Sequence, residues 1–327
     1  MAGGSTSLMT RRARFGVPTP TPAGEGLVAG GTQSALGVLN RQWRPSWRPR
    51  AYGSEFVWAF AFMVPYLGVL LAFAVYPIAY GLWMASSPSL YRTLLASDEF
   101  RDAVVNTALY VGIGVNVNLF LSLLLSGFFM RRGWWVKALL VVSMLPWALP
   151  AQTGLISFHW MLVYWGFLNS VLEKLFGVYG PDWLTYYWLS LGANIVAHTW
   201  KTMPFWTLIL LAGRTAIPQD LYDAADVDGA TGFRRFVHLV VPVLSNLYLV
   251  CALLATIWMI GDFNTTDLVS NGAPLGSTEV LATLGVEYLL DHGKPELGVA
   301  AVMAALPVII PLGILLIRRL QTREVQL

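Results

Sequence analysis

The chain has 327 residues, of which 56% are hydrophobic and only 12% charged, and it carries 14 Trp against a formal net charge of +3. A soluble domain carries about 25% charged residues, so a water-exposed globule of this size is excluded and a lipid-facing protein is implied. The single cysteine, Cys251, rules out an intrachain disulfide.

Residues 1–55 are rich in Gly, Pro, Ser, Thr and Arg, with no run long enough for a signal-peptide core or a membrane span. Composition therefore predicts a disordered, basic cytoplasmic tail. Its Arg41, Arg44, Arg48 and Arg50 alternate with Trp43 and Trp47, a pattern that suits membrane lipid at the inner surface rather than nucleic acid. A helix needs about 20 apolar residues to cross a bilayer. Uncharged runs of that kind predict an all-α integral membrane protein with six transmembrane helices, over about 56–84, 103–130, 138–164, 188–213, 240–261 and 297–317. A β-barrel is excluded, because its strands are alternating segments of about 10 residues.

Lys and Arg fix the predicted orientation. They gather in the tail, in the 131–137 loop (Arg131, Arg132, Lys137), in the 214–239 loop (Arg214, Arg234, Arg235) and after the last span (Arg318, Arg319, Arg323). The alternate loops hold only Arg92, Arg101, Lys174 and Lys294, so the topology reads N-in, C-in. The outer loops over 165–187 and 263–296, with Trp165, Trp183, Tyr186 and Tyr187, are expected to be partly structured at the outer interface. The absence of an internal repeat argues against a secondary transporter.

The 214–242 loop between spans 4 and 5 is the most specific stretch. Pro218 suits a first helical turn, and Asp220, Asp223 and Asp226 favour the positive end of the helix dipole. Leu221, Ala224 and Ala225 give a small-residue face, and Gly229 permits a sharp turn before a second helix. The result is a cytoplasmic helix-turn-helix shaped to enter a groove on another protein.

These residues resemble the membrane subunits of binding-protein-dependent ABC importers, specifically the carbohydrate permeases related to the maltose system. That family's signature, Glu-Ala-Ala followed after two residues by Asp-Gly-Ala, stands here as Asp223-Ala224-Ala225 and Asp228-Gly229-Ala230, with Phe236, Leu239 and Val241-Pro242 beyond it. The resemblance continues, in order, through Phe100 with Asn106-Thr107, the Pro-broken Leu145-Pro146-Trp147-Ala148-Leu149-Pro150, Gly166 with Asn169, and Thr199-Trp200-Lys201 with Pro204-Phe205. Asp223 and Val241 stand where the family has Glu and Leu, and the Ala85–Arg101 loop is short for the family.

The resemblance implies a type I importer permease domain over 56–320, in the bacterial cytoplasmic membrane. It implies a transport subunit paired with a second homologous permease, an extracytoplasmic sugar-binding protein and a cytoplasmic ABC ATPase dimer that binds ATP and Mg. Coupling to that ATPase falls on Asp223, Ala224, Ala225, Asp228, Gly229, Ala230, Phe236 and Pro242. The chain has no Gly-x4-Gly-Lys-Ser/Thr loop of its own, so no cofactor is expected on it.

Polar and aromatic residues inside the spans mark a candidate path. His198, Thr202 and Phe205 share one face of span 4; Trp258, Met259 and Asp262 share one with Ala255 in span 5; Trp147 and Ala151 lie a turn apart in span 3, beside Gln152. The resemblance implies a sugar cavity at these positions. No Arg lies inside a span, which argues against a phosphorylated substrate; a neutral di- or oligosaccharide is expected, with a polyol or a glycerol phosphate ester as the alternative. His198 and Lys201 serve equally well as helix–helix partners and Asp262 as a solvated acid, while Asn116, Asn118 and Asn194 read as packing amides. His159, His198, His238 and His292 have no paired spacing, so no metal site is expected. Asp223, Asp226 and Asp228 could hold a divalent ion in a membrane-embedded transferase, but the Ala-Ala and Asp-Gly-Ala frame accounts for them without one.

Overall fold

The computed structural model describes residues 54–324, with side chains over 58–319, and contains no strand among the described residues. The basic tail expected over 1–55 lies outside them, save its last two positions. Contacts divide the chain into two units, Met1–Gly68 and Val69–Leu327. In the first, helix α1 (Ser54–Leu70) carries exposed Trp58, Phe62 and Tyr66. The helix continues through a π turn (Leu71–Val75) into α2 (Tyr76–Met84), and Trp58–Met84 is long and apolar enough to cross a membrane, with none of its most apolar window buried.

In the second unit, α3 (Pro88–Ala96) leads to α4 (Asp98–Phe129), the longest helix. Ser97 starts α4 by accepting the Phe100 N–H at 3.2 Å, with Asp98 and Glu99 in its first turn. The helix therefore begins five residues before the predicted Ala103, in the water-facing part that a hydropathy criterion discards. Buried Ala103, Tyr110, Leu119, Ser122 and Ser126 give α4 a small, partly polar face. Against it packs α9 (Tyr187–Thr215).

The third predicted span is not one helix. It divides into α5 (Trp134–Ser143), α6 (Leu145–Ala148) and α7 (Ala151–Leu162), and the two sides of the break make an angle of 93°. Pro146 and Pro150 remove backbone donors, and Pro150 is held extended (ψ 136°). The carbonyls freed at the break find a partner in Lys201 of α9. Its Nζ donates to Pro146 at 2.9 Å and also to the Leu149 carbonyl.

After α8 (Phe167–Phe176) and α9 come α10 (Gln219–Val227), α11 (Gly232–Arg235), a second π turn (Phe236–Val240) and α12 (Val241–Ile260). The fifth predicted span, drawn from Val240, in fact runs continuously from Gly232 to Ile260. The second helix of the predicted helix-turn-helix is thus the base of a span. Pro242 lacks the N–H that the His238 carbonyl would accept, and Pro77 stands in the same relation to Phe73. In both cases the π turn spans the deprived carbonyl, and the helix passes through.

The 263–296 segment is structured, by α13 (Phe263–Val269) and α14 (Leu281–Leu290). Helix α14 packs on α15 (Pro295–Met303) at a glycine crossing, where a Cβ on Gly298 would lie 2.3 Å from the Gly285 carbonyl oxygen. Asn106 ties this segment to α4 by donating to the Ser277 and Glu279 carbonyls at 2.7 and 2.8 Å. The last helix, α16 (Leu306–Glu324), follows a break at Ala304–Ala305.

Among the described residues four helical runs are long and apolar enough to span, Trp58–Met84, Asp98–Phe129, Gly232–Ile260 and Pro295–Arg319, and the bent pair in the third region is a fifth candidate. Helix α9 has the length, 29 residues or about 43 Å at 1.5 Å per residue. Asn194, His198, Thr199, Lys201 and Thr202 leave it less apolar than the other four.

Candidate functional site

Two groups of residues stand out, one at the α10 turn and one midway along α9. At the turn, α10 ends in a Schellman arrangement. The Ala230 N–H reaches the Ala225 carbonyl at 2.8 Å and the Gly229 N–H reaches Asp226 at 3.1 Å, with Gly229 at φ +70°. Arg235 closes the loop by pairing with Asp226 and donating to the Ala230 carbonyl at 3.3 Å. This orders the predicted coupling residues into two sides. Asp223, Ala224, Asp228, Gly229 and Pro242 are exposed; Ala225, Ala230 and Phe236 are half-buried. Val227 and Phe233 add large apolar groups, 88% and 78% exposed, to the exposed side. Sequence reasoning missed both, although large apolar residues beside Asp226, Asp228 and Arg234 were a readable signal.

In the second group, His198 and Asp262, separated by 64 residues, meet at 2.7 Å between His198 Nδ1 and Asp262 Oδ2. The Tyr110 hydroxyl donates to the same oxygen at 2.8 Å, and Asp262 Oδ1 accepts the Thr265 N–H at 3.2 Å, capping α13. Because a carboxylate only accepts, the imidazole proton in this pair sits on Nδ1. Asp262 is therefore not a solvated acid; it joins α4, α9 and α13. Nothing in the pattern around Tyr110 marked it for this role. Thr202 accepts from Asn118 Nδ2 at 2.6 Å and donates to its own helix at the His198 carbonyl.

One turn on, Phe205 stacks on Trp147 with ring centroids 4.7 Å apart and lies 5.3 Å from Trp258, which also meets Trp206 at 5.4 Å. Trp147 and Trp258 keep 37% and 43% of their surface exposed, so the cluster presents an aromatic face. The Lys201 contact fixes the segment that carries Trp147. Other predicted path residues lie elsewhere. Met259 is buried at 1%, its side chain against Gly114, Ala151 packs on the separate cluster around Leu155 and Leu162, and Gln152 is exposed.

Beside α13 and α14 a cavity of about 550 Å³ is lined in part by Asp267, Glu279, Glu287 and Asp291. Burial, then a hydrogen bond with Glu287 and the charges of Glu287, Glu99 and Asp291, pushes the Glu279 carboxyl up to about 8. Among the described residues no group of three or more His, Cys, Asp or Glu is placed to hold a metal ion.

Comparison with known proteins bears on the family and the fold. Residues 118–323 match the family described as binding-protein-dependent transport system inner membrane component. The chain is 31% identical over 249 residues to the trehalose/maltose transport system permease protein MalF of Thermococcus litoralis, covering 71% of this chain and 83% of that protein. It is 33% identical over 196 residues to the sulfoquinovosyl glycerol transport system permease protein SmoG of Agrobacterium fabrum, covering 59% and 62%. Its fold matches a chain of a bacterial alginate ABC transporter, crystallised with its alginate pentasaccharide-bound periplasmic protein, at a TM-score of 0.69 and 20% identity, over 82% of this chain and 94% of that one.

Proposed function

The chain belongs to the binding-protein-dependent transport system inner membrane components, a multi-pass permease of the bacterial inner membrane in the carbohydrate ABC importer class, and from that membership we propose how it works. It forms half of a translocation pathway, pairs with a second homologous permease, and receives its substrate from an extracytoplasmic sugar-binding protein. ATP and Mg are bound by a cytoplasmic ABC ATPase dimer, which grips α10. The chain crosses the membrane six times with both ends inside, the bent α5–α7 region and α9 supplying the two crossings beyond the four apolar runs.

The observation that carries this reading is the α10 turn, where Ala224, Val227, Gly229 and Phe233 are all exposed. Ala224→Trp, on the exposed side, tests it: the permease reaches the membrane, but the ATPase no longer co-purifies and uptake is lost. Unchanged co-purification with unchanged uptake overturns the assignment.

The substrate in this reading is a neutral di- or oligosaccharide. The Trp147, Phe205 and Trp258 face supports it, since flat aromatic surfaces suit the apolar faces of sugar rings. The relative named for trehalose and maltose supports it too. A polyol or a glycerol ester is the second reading, favoured by the relative named for sulfoquinovosyl glycerol.

A further inference from the structure

Arg214 sits in the last turn of α9 and is only 7% exposed. Burying a guanidinium is expensive unless it is paired, yet the ion pairs among the described residues, Arg101–Asp98, His198–Asp262 and Arg235–Asp226, do not include it. Three other features hold it instead. Its Nη2 donates to the Leu123 carbonyl of α4 at 2.9 Å. Its Cζ lies 5.7 Å from the ring centre of Phe236, in the π turn that follows α10. Gly127 of α4 leaves it room, because a Cβ there would stand 3.0 Å from Nη1. The Nε–H is buried without an acceptor.

The residue thus joins the C-terminal end of α9, the C-terminal part of α4 and the segment that α10 leads into. Toward the outer side, the same α4 carries Asn118, bonded to Thr202, and Tyr110, bonded to Asp262. One helix therefore touches Arg214 near its C-terminal end and the polar group around Asp262 and Thr202 along its middle.

We infer that Arg214, in contact with both the Phe236 ring and the Leu123 carbonyl, is the positioning residue through which movement of the 219–240 segment reaches α4. This rests on the reading of α10 as the ATPase contact. A guanidinium suits the task because its planar fork can hold a carbonyl and lie against a ring together, which a Lys ammonium cannot reproduce.

The test uses the complete importer in proteoliposomes, with Arg214→Met, Arg214→Lys, Phe236→Leu and the Arg214→Met/Phe236→Leu double variant. Uptake and ATP hydrolysis are measured together. The expected result is normal co-purification of the ATPase with Arg214→Met, and uptake per ATP at least about tenfold lower. Arg214→Lys falls between Met and wild type, and the double variant is no worse than Arg214→Met alone, as residues acting on one contact are not additive.

A wild-type ratio of uptake to hydrolysis in Arg214→Met overturns the inference, and so do fully additive losses. Loss of ATPase co-purification in Arg214→Met assigns the residue to docking and overturns it as well. If Arg214→Met does not reach the membrane, Arg214→Lys carries the test: uptake per ATP below wild type is expected, and a wild-type ratio overturns the inference. Failure of the wild-type chain to retain any ATPase is a separate result, which removes the reading of α10 and not the contact geometry.

Discussion

Replacing Asp262 by Ala removes an acceptor that three donors share. The Tyr110 hydroxyl and His198 Nδ1 lose their common partner at 2.8 and 2.7 Å, and α13 loses its cap at the Thr265 N–H. With the His198 and Asp262 side chains only 11% and 14% exposed, water does not readily replace the carboxylate. A buried donor left unmade costs about 1–3 kcal/mol, a lost cap about 1 kcal/mol, and a broken buried pair about 3–5 kcal/mol in all. Asp262→Asn keeps the cap and one acceptor oxygen, and should cost about 1–2 kcal/mol.

Denaturant unfolding of the purified chain in detergent, followed by Trp fluorescence, measures both variants, with uptake recorded in parallel. Asp262→Ala should unfold at clearly lower denaturant than Asp262→Asn, and both should transport poorly. Adding Tyr110→Phe to Asp262→Ala should cost nothing further, because the bond is already gone. Equal unfolding midpoints for wild type and Asp262→Ala would refute the argument that this carboxylate joins three helices.

Lys201→Met leaves the carbonyls of the α6–α7 break without their donor; uptake should show a several-fold higher KM with a smaller change in maximal rate, and Trp147→Ala should reproduce that pattern. Gly229→Val meets no neighbour within 4 Å, so its effect is the cost of φ +70° for a branched residue, about 1–2 kcal/mol; ATPase stimulation should fall, while Gly229→Asn, which tolerates this conformation, retains more of it. Glu279, with its carboxyl pushed up to about 8, binds more proton folded than unfolded between the ordinary glutamate range and pH 8. Stability should therefore fall as pH rises through that window and level off above it, and Glu279→Gln should flatten the decline in unfolding midpoints recorded from pH 5 to pH 9.

What could be read in the sequence followed from forces that act locally. Apolar runs located the long helices, and the Asp-Gly-Ala frame located the α10 turn, whose φ +70° at Gly229 only glycine adopts freely. Helix starts were less visible, because Ser97 and Asp98 begin α4 outside the apolar run. The continuity of Gly232–Ile260 was hidden by its charged base, where Arg234 and Arg235 read as loop.

The candidate path was legible as residue types but not as contacts. His198 and Asp262 were picked separately, and only packing shows that they bond to each other and to Tyr110. Residue type alone suits Lys201 to more than one role, and its contacts with the Pro146 and Leu149 carbonyls arise from a 93° bend whose size no spacing encodes. Met259 has the right helical face and the wrong depth, since Gly114 on the facing helix gives its side chain a place to bury.

The most direct test of the account is purification of the chain from native membranes, followed by an ATPase assay with and without its co-purifying binding protein loaded with candidate sugars. The account predicts that an ATPase is retained and that hydrolysis rises several-fold only with a sugar-loaded binding protein. Absence of any ATPase after mild crosslinking, or hydrolysis indifferent to loaded binding protein, would contradict it.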